Sequence, residues 1–333
     1  MGETHRSVCI SVIVGSFALP FINPNGYGRF DSTTGMELGV VGLGRMGQIV
    51  VERVQAAGHD VVAYDIDADR RAALEATGTD TVADLADLPA RLDTPAHIWL
   101  MVPSGDPVDD VLALLDPNLG ADDIIVDGGN SHFAASVRRA EAVTATYLDC
   151  GTSGGPAAAE MGFSLMVGGD RWAYEALVPA FDAVATGPDG HQHMGPPGAG
   201  HYVKMIHNGI EYALMGAYGE GFELLANGRY DLDLEAIART WNNGAVIRSW
   251  LLELAEDAFR EEGGDLGDVA PYVAGGSTGQ WTIAEANDQE VPVPLIYQAL
   301  AERYASRTDG RFAHRLANRL RYGFGRHSVA REE

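Results

Sequence analysis

The stretch ELGVVGLGRMG, residues 37–47, joins a short apolar run to three glycines, Gly42, Gly44 and Gly47. The apolar run predicts a strand, and the helical spacing of the following QIVVERVQAAGH predicts a helix. A second apolar run, DVVAYD, ends at Asp65, 21 positions after Gly44. Strand, glycine turn, helix and carboxylate in this order form the dinucleotide fingerprint, in which the first helical amides face a pyrophosphate. We therefore predict a dinucleotide-binding domain.

Asp65 bears on the choice of cofactor. A carboxylate at this position accepts hydrogen bonds from the ribose 2′-hydroxyl and repels a 2′-phosphate, so NAD is favoured. Arg70 and Arg71 follow, and either could turn toward a 2′-phosphate, which keeps NADP possible. The alternative for both arginines is the solvated face of the next helix.

Four further apolar runs alternate with stretches of helical spacing. They are HIWLMV (97–102), DDIIVD (122–127), ATYLD (145–149) and FSLMVGG (163–169). This alternation predicts an α/β fold, in which an N-terminal Rossmann-type domain contains a doubly wound, mostly parallel sheet. Ligands of such sheets bind at the carboxyl ends of the strands.

Small polar motifs follow these runs, namely MVPSG, DGGNSHF and GTSGG. Small residues beside Asn130 and Ser153 would let a ligand approach the backbone closely, although ordinary turn chemistry is the alternative interpretation of each motif. The predicted cofactor contacts are Gly42, Leu43, Gly44, Arg45, Met46, Gly47, Asp65, Met101, Val102, Pro103 and Asn130.

The ends of the chain differ from its middle. Residues 1–35 contain an apolar run that is too short to span a bilayer. They are expected to be an N-terminal extension outside the fold, and a secretory signal is the alternative. The Rossmann domain is predicted over 36–195. The glycine- and proline-rich segment 187–200 indicates a domain boundary, and helical periodicity predicts an all-helical substrate and dimerisation domain with a C-terminal tail over 196–333.

Three histidines near this boundary, His191, His193 and His201, invite a metal-site interpretation. No carboxylate or cysteine nearby completes a convincing ligand set, so no metal is expected.

The composition restricts the partners. The 333 residues carry a formal net charge of -24, which disfavours nucleic acid and anionic membranes. An acidic chain with a single lysine is typical of adaptation to a salty cytoplasm, where salt screens self-repulsion. The two cysteines, Cys9 and Cys150, provide no disulfide framework, and a reducing cytoplasmic interior is therefore expected.

The single lysine, Lys204, lies in HYVKMIHNGIEY, residues 201–212. Helical projection gathers the polar residues Lys204, His207, Asn208, Glu211 and Tyr212 within an arc of about 140°, while the other face is predicted to pack. An arginine would carry the same charge but stays protonated, whereas a partly desolvated lysine can lose its proton near neutrality. We therefore predict that Lys204 transfers a proton; a buried structural lysine is the alternative.

The motifs GLGRMG, DGGNSHF, GTSGG, SLMVGGD and above all GAGHYVKMIHNGIEY resemble those of decarboxylating 6-phosphogluconate dehydrogenases of the shorter form, over residues 36 to about 327. The resemblance implies oxidation of 6-phosphogluconate to ribulose 5-phosphate and carbon dioxide. It implies that Lys204 is the general base and Glu211 a general acid. The substrate contacts that it implies are Asn130, Ser153, Gly154, Gly155, His207, Asn208, Tyr212, Arg303, Arg321 and His327.

Matches near the C-terminus concern the substrate phosphate. The resemblance places Arg303 at a phosphate-binding arginine, and Arg321 and His327 on the RxxFGxH pattern of a tail that reaches the neighbouring subunit's site. It therefore implies at least a homodimer. Where long members of the family carry a phosphate-binding lysine, this chain has Gly276, and Arg307 or Arg311 could compensate.

Two alternatives compete with this interpretation. A 3-hydroxyacid dehydrogenase of the 3-hydroxyisobutyrate type shares the glycine turn and a GxxxKxxxN helix, but would not explain HNGIEY or the tail pattern. A non-catalytic dinucleotide-binding sensor would not need both Lys204 and Glu211.

Overall fold

The computed structural model describes residues 35–308. Nearly all of the predicted extension 1–35 lies outside these residues, as do Arg311, Arg321 and His327. The strands are β1 (Glu37–Val41), β2 (Asp60–Tyr64), β3 (Asp80–Thr81), β4 (His97–Leu100), β5 (Ile124–Asp127), β6 (Thr146–Ser153), β7 (Ser164–Gly168) and β8 (His191–Gly195). They form one sheet of order β3-β2-β1-β4-β5-β6-β7-β8. All neighbouring strands are parallel except β6 and β7, which confirms the predicted fold class.

The helices of the sheet domain connect its strands. They are α1 (Arg45–Ala56), α2 (Ala68–Glu75), α3 (Leu88–Arg91), α4 (Asp106–Leu115), α5 (Phe133–Ala142), α6 (Ala158–Met161), α7 (Arg171–Ala176) and α8 (Val178–Val184). Short 3-10 helices occur at Leu85–Asp87, Asp116–Asn118 and Gly155–Ala157. The remaining helices are α9 (Ala199–Ala226), α10 (Leu234–Asn242), α11 (Trp250–Glu262), α12 (Ser277–Asp288) and α13 (Pro294–Ala305).

The central strand β4 shows why continuous apolar runs form this sheet. All four of its residues are buried, because helices cover both faces. Ile98 and Leu100 join one hydrophobic cluster, and Trp99, which points to the opposite face, joins the other. The indole of Trp99 meets the ring of Phe181 edge-on at 5.5 Å. The sheet thus has a separate hydrophobic core on each face.

Two strands escaped sequence analysis. β3 has only two residues, and β8, which pairs with β7, lies inside the glycine- and proline-rich segment 187–200. That segment is therefore partly sheet rather than only a connection. Both strands lie at the edges of the sheet. Edge strands are less buried than central ones, so they need no continuous apolar run. Among residues 35–308, no helix has the length and apolar character needed to cross a membrane.

Candidate active site

The glycine turn between β1 and α1 is shaped by close backbone packing. Gly42 has φ +96°, and a Cβ there would lie 2.6 Å from the carbonyl oxygen of Met101. A Cβ on Gly47 would overlap the carbonyl oxygen of Gly42. A Cβ on Gly44, in contrast, would have no atom within 4 Å. No side chain caps the start of α1. The amino end of α1 therefore opens onto free space, as a pyrophosphate requires.

A cavity of about 870 Å³ adjoins this turn. Nine of the predicted cofactor contacts line it: Gly42, Gly44, Arg45, Met46, Asp65, Met101, Val102, Pro103 and Asn130. Leu43 and Gly47 are instead buried behind the turn. The open cradle at Gly44 and the size of the cavity fit a dinucleotide. Sequence analysis missed Ile66, which is 89% exposed at the cavity, although its position directly after Asp65 was a usable signal.

Asp65 braces the glycine turn as well as lining the cavity. Its Oδ2 accepts a hydrogen bond of 2.6 Å from the amide of Leu43, and its Oδ1 accepts one of 2.8 Å from the amide of Asp67. The side chain is 4% exposed, and the guanidinium of Arg70 lies 3.4 Å from Oδ2. Oδ2 thus accepts from two donors and Oδ1 from one, so the second lone pair of Oδ1 leaves Asp65 able to accept from a ribose hydroxyl.

Asn130 links the cofactor cavity to a second cavity. Its backbone has φ +54°, and its amide group bonds the backbone of Thr152 at 2.8 Å through Oδ1 and 3.1 Å through Nδ2. Buried Asp127 holds the residues on either side, because its carboxylate accepts from the amide of Gly129 and the hydroxyl of Ser131. The Asn130 side chain therefore positions the strand end that carries Ser153.

The second cavity, of about 1150 Å³, shares Asn130, Thr152 and Gly155 with the first. It brings together the predicted residues Ser153, Gly154, Gly155, Lys204, His207, Asn208 and Glu211. The two cavities thus form one continuous site.

Lys204 is 6% exposed, and its Nζ lies 3.4 Å from Nδ1 of His207. Burial lowers the pKa of Lys204 from 10.5 to about 8, and the negative charge of Glu211 opposes that change. At near-neutral pH a useful fraction of this amine can be unprotonated.

His207 lies between the other polar groups of the site. Its Nε2 is 3.4 Å from the hydroxyl of Ser153, and its Nδ1 is 3.0 Å from Oδ1 of Asn208. A carboxylate oxygen of Glu211 lies 3.8 Å from the same Nδ1. The amine of Lys204 and the carboxylate of Glu211 therefore both lie within 4 Å of the same imidazole nitrogen.

The predicted division of α9 into a polar and a packing face is wrong in part. Ile206, Ile210 and Leu214 line the same cavity as Lys204, and Ile210 is 51% exposed. Ser249 and the beginning of α11, including Trp250, form the opposite wall. A helical projection cannot show this, because a cavity between two helices exposes more of each helix than one polar stripe. Trp250 was therefore missed.

Tyr212 and Arg303 lie together, but in a different cavity, of about 400 Å³, that also includes Glu302. The Arg303 guanidinium lies over the Tyr212 ring, 3.8 Å from its centre, and donates to the carbonyl of Ala274 at 3.1 Å. The structure therefore does not bring Tyr212, a predicted substrate contact, or Arg303, the predicted phosphate contact, into the Lys204 cavity.

Gly276 ends the segment that Arg303 and Arg307 hold. Arg307 donates to the carbonyl of Val273 at 2.9 Å and also bonds the carbonyl of Gly275. A Cβ on Gly276 would lie 3.7 Å from Nη2 of Arg307. The guanidinium of Arg307 therefore lies beside the position where a side chain at 276 would begin.

The boundary histidines have protein partners. His191 bonds Tyr174 at 2.8 Å and Asp182 at 3.0 Å, and His193 bonds the carbonyl of Gly169 at 2.8 Å. Within 35–308, no cluster of three or more His, Cys, Asp or Glu side chains could hold a metal ion.

Buried Asp149 fixes the start of α9. Its carboxylate accepts hydrogen bonds from the amide of Gly198 at 2.6 Å and that of His201 at 2.7 Å. Burial raises the pKa of Asp149, and His201 and these amides act in the opposite direction. Because α9 has 28 residues and begins at this anchor, Asp149 sets the position of Lys204 one turn later.

Comparison with known proteins is consistent with this geometry. Family models match residues 37–195, as the NAD binding domain of 6-phosphogluconate dehydrogenase, and residues 200–322, as its C-terminal domain. A decarboxylating, NAD(+)-dependent 6-phosphogluconate dehydrogenase of Haloferax volcanii is 71% identical over 298 residues, which cover 90% of this chain and 100% of that protein.

Solved structures share the fold. The 6-phosphogluconate dehydrogenase of Plasmodium falciparum has a TM-score of 0.76 and 25% identity, covering 89% of this chain and 66% of that one. A 3-hydroxyisobutyrate dehydrogenase of Mycobacterium tuberculosis has a TM-score of 0.65 and 18% identity, covering 80% of this chain and 92% of that one. The second similarity shows the fold alone.

Proposed function

Because this chain belongs to the 6-phosphogluconate dehydrogenase family, we infer that it oxidises and decarboxylates 6-phosphogluconate to ribulose 5-phosphate and carbon dioxide, reducing NAD. The observation that carries this function is the position and state of Lys204. It is buried where the substrate cavity approaches the cofactor cavity, and its pKa is about 8. An amine with this pKa can act as a base and then as an acid within one turnover.

The first step removes a proton from the substrate. Neutral Lys204 takes the proton of the 3-hydroxyl as carbon 3 gives up its hydride, and the loss of both turns carbon 3 into a ketone. When bound, NAD would accept the hydride from that carbon. His207, 3.4 Å from the amine, and Asn208 support the substrate from the same turn of α9.

Decarboxylation then needs a cation beside the new ketone oxygen. Electrons from the broken carbon–carbon bond flow onto that oxygen, and protonated Lys204 stabilises the resulting enolate. Glu211, in its acid form, then gives a proton to carbon 1 of the enediol. The approach of Glu211 and Lys204 to the same nitrogen of His207, at 3.8 and 3.4 Å, supports roles for both groups at one substrate.

The cofactor is NAD, in agreement with the NAD(+)-dependent relative from Haloferax volcanii, while NADP stays possible. The glycine turn and the cavity beside Asp65 would hold it. That relative also agrees with the halophilic character predicted from the acidic composition.

We propose that the sheet domain ends with β8 at Gly195 and that the helical domain begins with α9 at Ala199. We further propose that the enzyme works in the cytoplasm, as a homodimer in which the C-terminal tail, with Arg321 and His327, completes the neighbouring site. Support comes from the charge of the substrate cavity. Among residues 35–308, Lys204 is the one Lys or Arg that lines it, and the substrate's phosphate needs further cationic groups.

The experiment mixes the purified protein with 6-phosphogluconate and either NAD or NADP in high salt. Absorbance of the reduced cofactor and release of carbon dioxide are followed together. Equal amounts of both products are expected. Oxidation without carbon dioxide would favour a 3-hydroxyacid dehydrogenase, and cofactor binding without turnover would favour a sensor.

A further inference from the structure

The carboxyl end of β2 carries two carboxylates and a cation beside the cofactor cavity. Arg70 lies between the carboxylates: its Nη1 is 3.4 Å from Oδ2 of Asp65, and its Nε is 3.5 Å from Oδ2 of Asp67. Arg70 and Asp65 line the cavity, whereas Asp67 contacts Arg70 without lining the cavity. We propose that Asp67 sets the preference for NAD by holding Arg70, which would otherwise bind the 2′-phosphate of NADP.

Charge balance at this corner supports the proposal. Two carboxylates face the guanidinium of Arg70, so an incoming 2′-phosphate would compete with both of them for Arg70. The other cation nearby is already engaged, because Arg71 bonds the carbonyl of Asp65 at 2.6 Å and lies 5.7 Å from the centre of the Tyr64 ring.

The carboxylates of Asp65 and Asp67 make different contacts. Asp65 is 4% exposed and holds the glycine turn through Leu43, so both cofactors depend on it. Asp67 is 46% exposed and caps α2, its Oδ1 accepting from the amide of Asp69 at 2.9 Å. Only Asp67 can therefore lose its charge without disturbing the turn that binds either cofactor.

Arg70 can reach a ligand once it is released. Its side chain is 49% exposed, and as the third residue of α2 it lies on the wall of the cavity. A guanidinium is the group that suits a phosphate, because its planar donors bind two oxygens at once. This inference rests on the proposed function only in that the cofactor occupies the cavity beside Asp65.

The test replaces Asp67 by serine, which keeps a helix-capping oxygen but removes the charge. Binding of NAD and of NADP is measured by isothermal titration calorimetry at one salt concentration, without a sugar substrate. The NADP dissociation constant of Asp67→Ser should fall about fivefold, which corresponds to one charge-assisted hydrogen bond in a partly exposed site. The NAD constant should change by less than about twofold.

Two matched variants complete the design. Asp69→Ser removes a carboxylate from the same helical turn and should leave both constants unchanged. Adding Arg70→Ala to Asp67→Ser should abolish the gain for NADP. If serine at 67 destabilises the protein, Asp67→Asn tests the same charge with nearly the same shape.

Three outcomes would overturn the proposal: an unchanged NADP constant in Asp67→Ser and Asp67→Asn, an equal gain in Asp69→Ser, or a gain that survives Arg70→Ala. Because the titrations contain no sugar, they succeed or fail independently of turnover. An enzyme that binds NAD but leaves 6-phosphogluconate unchanged would refute the proposed function and not this inference.

Discussion

Gly151 of β6 lies directly against Lys204 of α9, and a Cβ on Gly151 would overlap Cβ of the lysine. The same atom would lie 2.9 Å from the carbonyl oxygen of Gly200. The backbone that carries Lys204, the proposed base, is therefore held by a contact between a strand and a helix that only glycine permits.

Gly151→Ala should consequently lower kcat by about tenfold or more, since small displacements of a catalytic group are costly. The overpacking should also cost about 1–3 kcal/mol of unfolding free energy. Steady-state kinetics and thermal unfolding measure the two effects. Gly219→Ala, on the helix that carries Lys204, is the control for activity, because no atom would lie within 4 Å of its Cβ. Full activity in Gly151→Ala would show that α9 adjusts without moving Lys204.

Lys204→Arg should reduce turnover by about a thousandfold or more, because guanidinium cannot give up its proton at working pH. The affinity for NAD should change little, since Lys204 lines the substrate cavity and not that of the glycine turn. Stopped assays with high enzyme concentrations measure the residual rate, and calorimetry measures NAD binding. Substantial residual turnover would contradict the assignment of Lys204 as the base.

The pH dependence should follow the ionisation of Lys204. In the free enzyme kcat/KM should rise with pH through about 8, because burial lowers the lysine pKa to about 8 and the neutral form is the base. The negative charge of Glu211 raises the pKa of Lys204, so Glu211→Gln should move the rise in kcat/KM to lower pH. The activity of this variant should also be lower at every pH. Measuring kcat/KM from pH 6 to 10 in the wild type and in Glu211→Gln checks both expectations. A rise at the same pH in both proteins would show that the charge of Glu211 does not affect the ionisation of Lys204.

Burial of the Lys204 amine should also lower the free energy of unfolding of the protein. Its folded-state pKa of about 8 lies below its ordinary value of 10.5, so the unfolded chain binds the proton more tightly. The penalty is complete below about pH 8 and disappears as pH rises toward 10.5. Lys204→Met should therefore be roughly 2 kcal/mol more stable at pH 7, with a smaller difference at pH 10. Denaturant unfolding at both values provides the comparison, and an equal difference at both would exclude this cause.

Asp149→Asn should destabilise the protein by about 1–3 kcal/mol, because one amide oxygen must replace two carboxylate oxygens that accept from Gly198 and His201. Turnover should fall as well, since these bonds hold the start of α9. Asp116→Asn is the control, because that carboxylate also accepts from a backbone amide, of Thr144, but at an exposed position. Comparable losses in both variants would argue against a special role for the buried anchor.

Much of this protein could be predicted from local patterns. The strands that were predicted are continuous apolar runs, since a parallel sheet covered by helices buries both faces of its strands. The edge strands β3 and β8 lack such runs and were missed. The family was predicted from motifs within single turns and helices, and the relative with 71% identity confirms it.

The amino-acid sequence alone was sufficient for the fold class, the family and the glycine turn, because each depends on residues that are neighbours in the chain. Distances between segments decided the rest: the contact of Gly151 with Lys204 and the anchoring of α9 by Asp149. The pKa of Lys204 belongs to this second group, because burial by other elements lowers it. Desolvation and close contact arise only when remote parts of the chain pack together, and no local pattern records them.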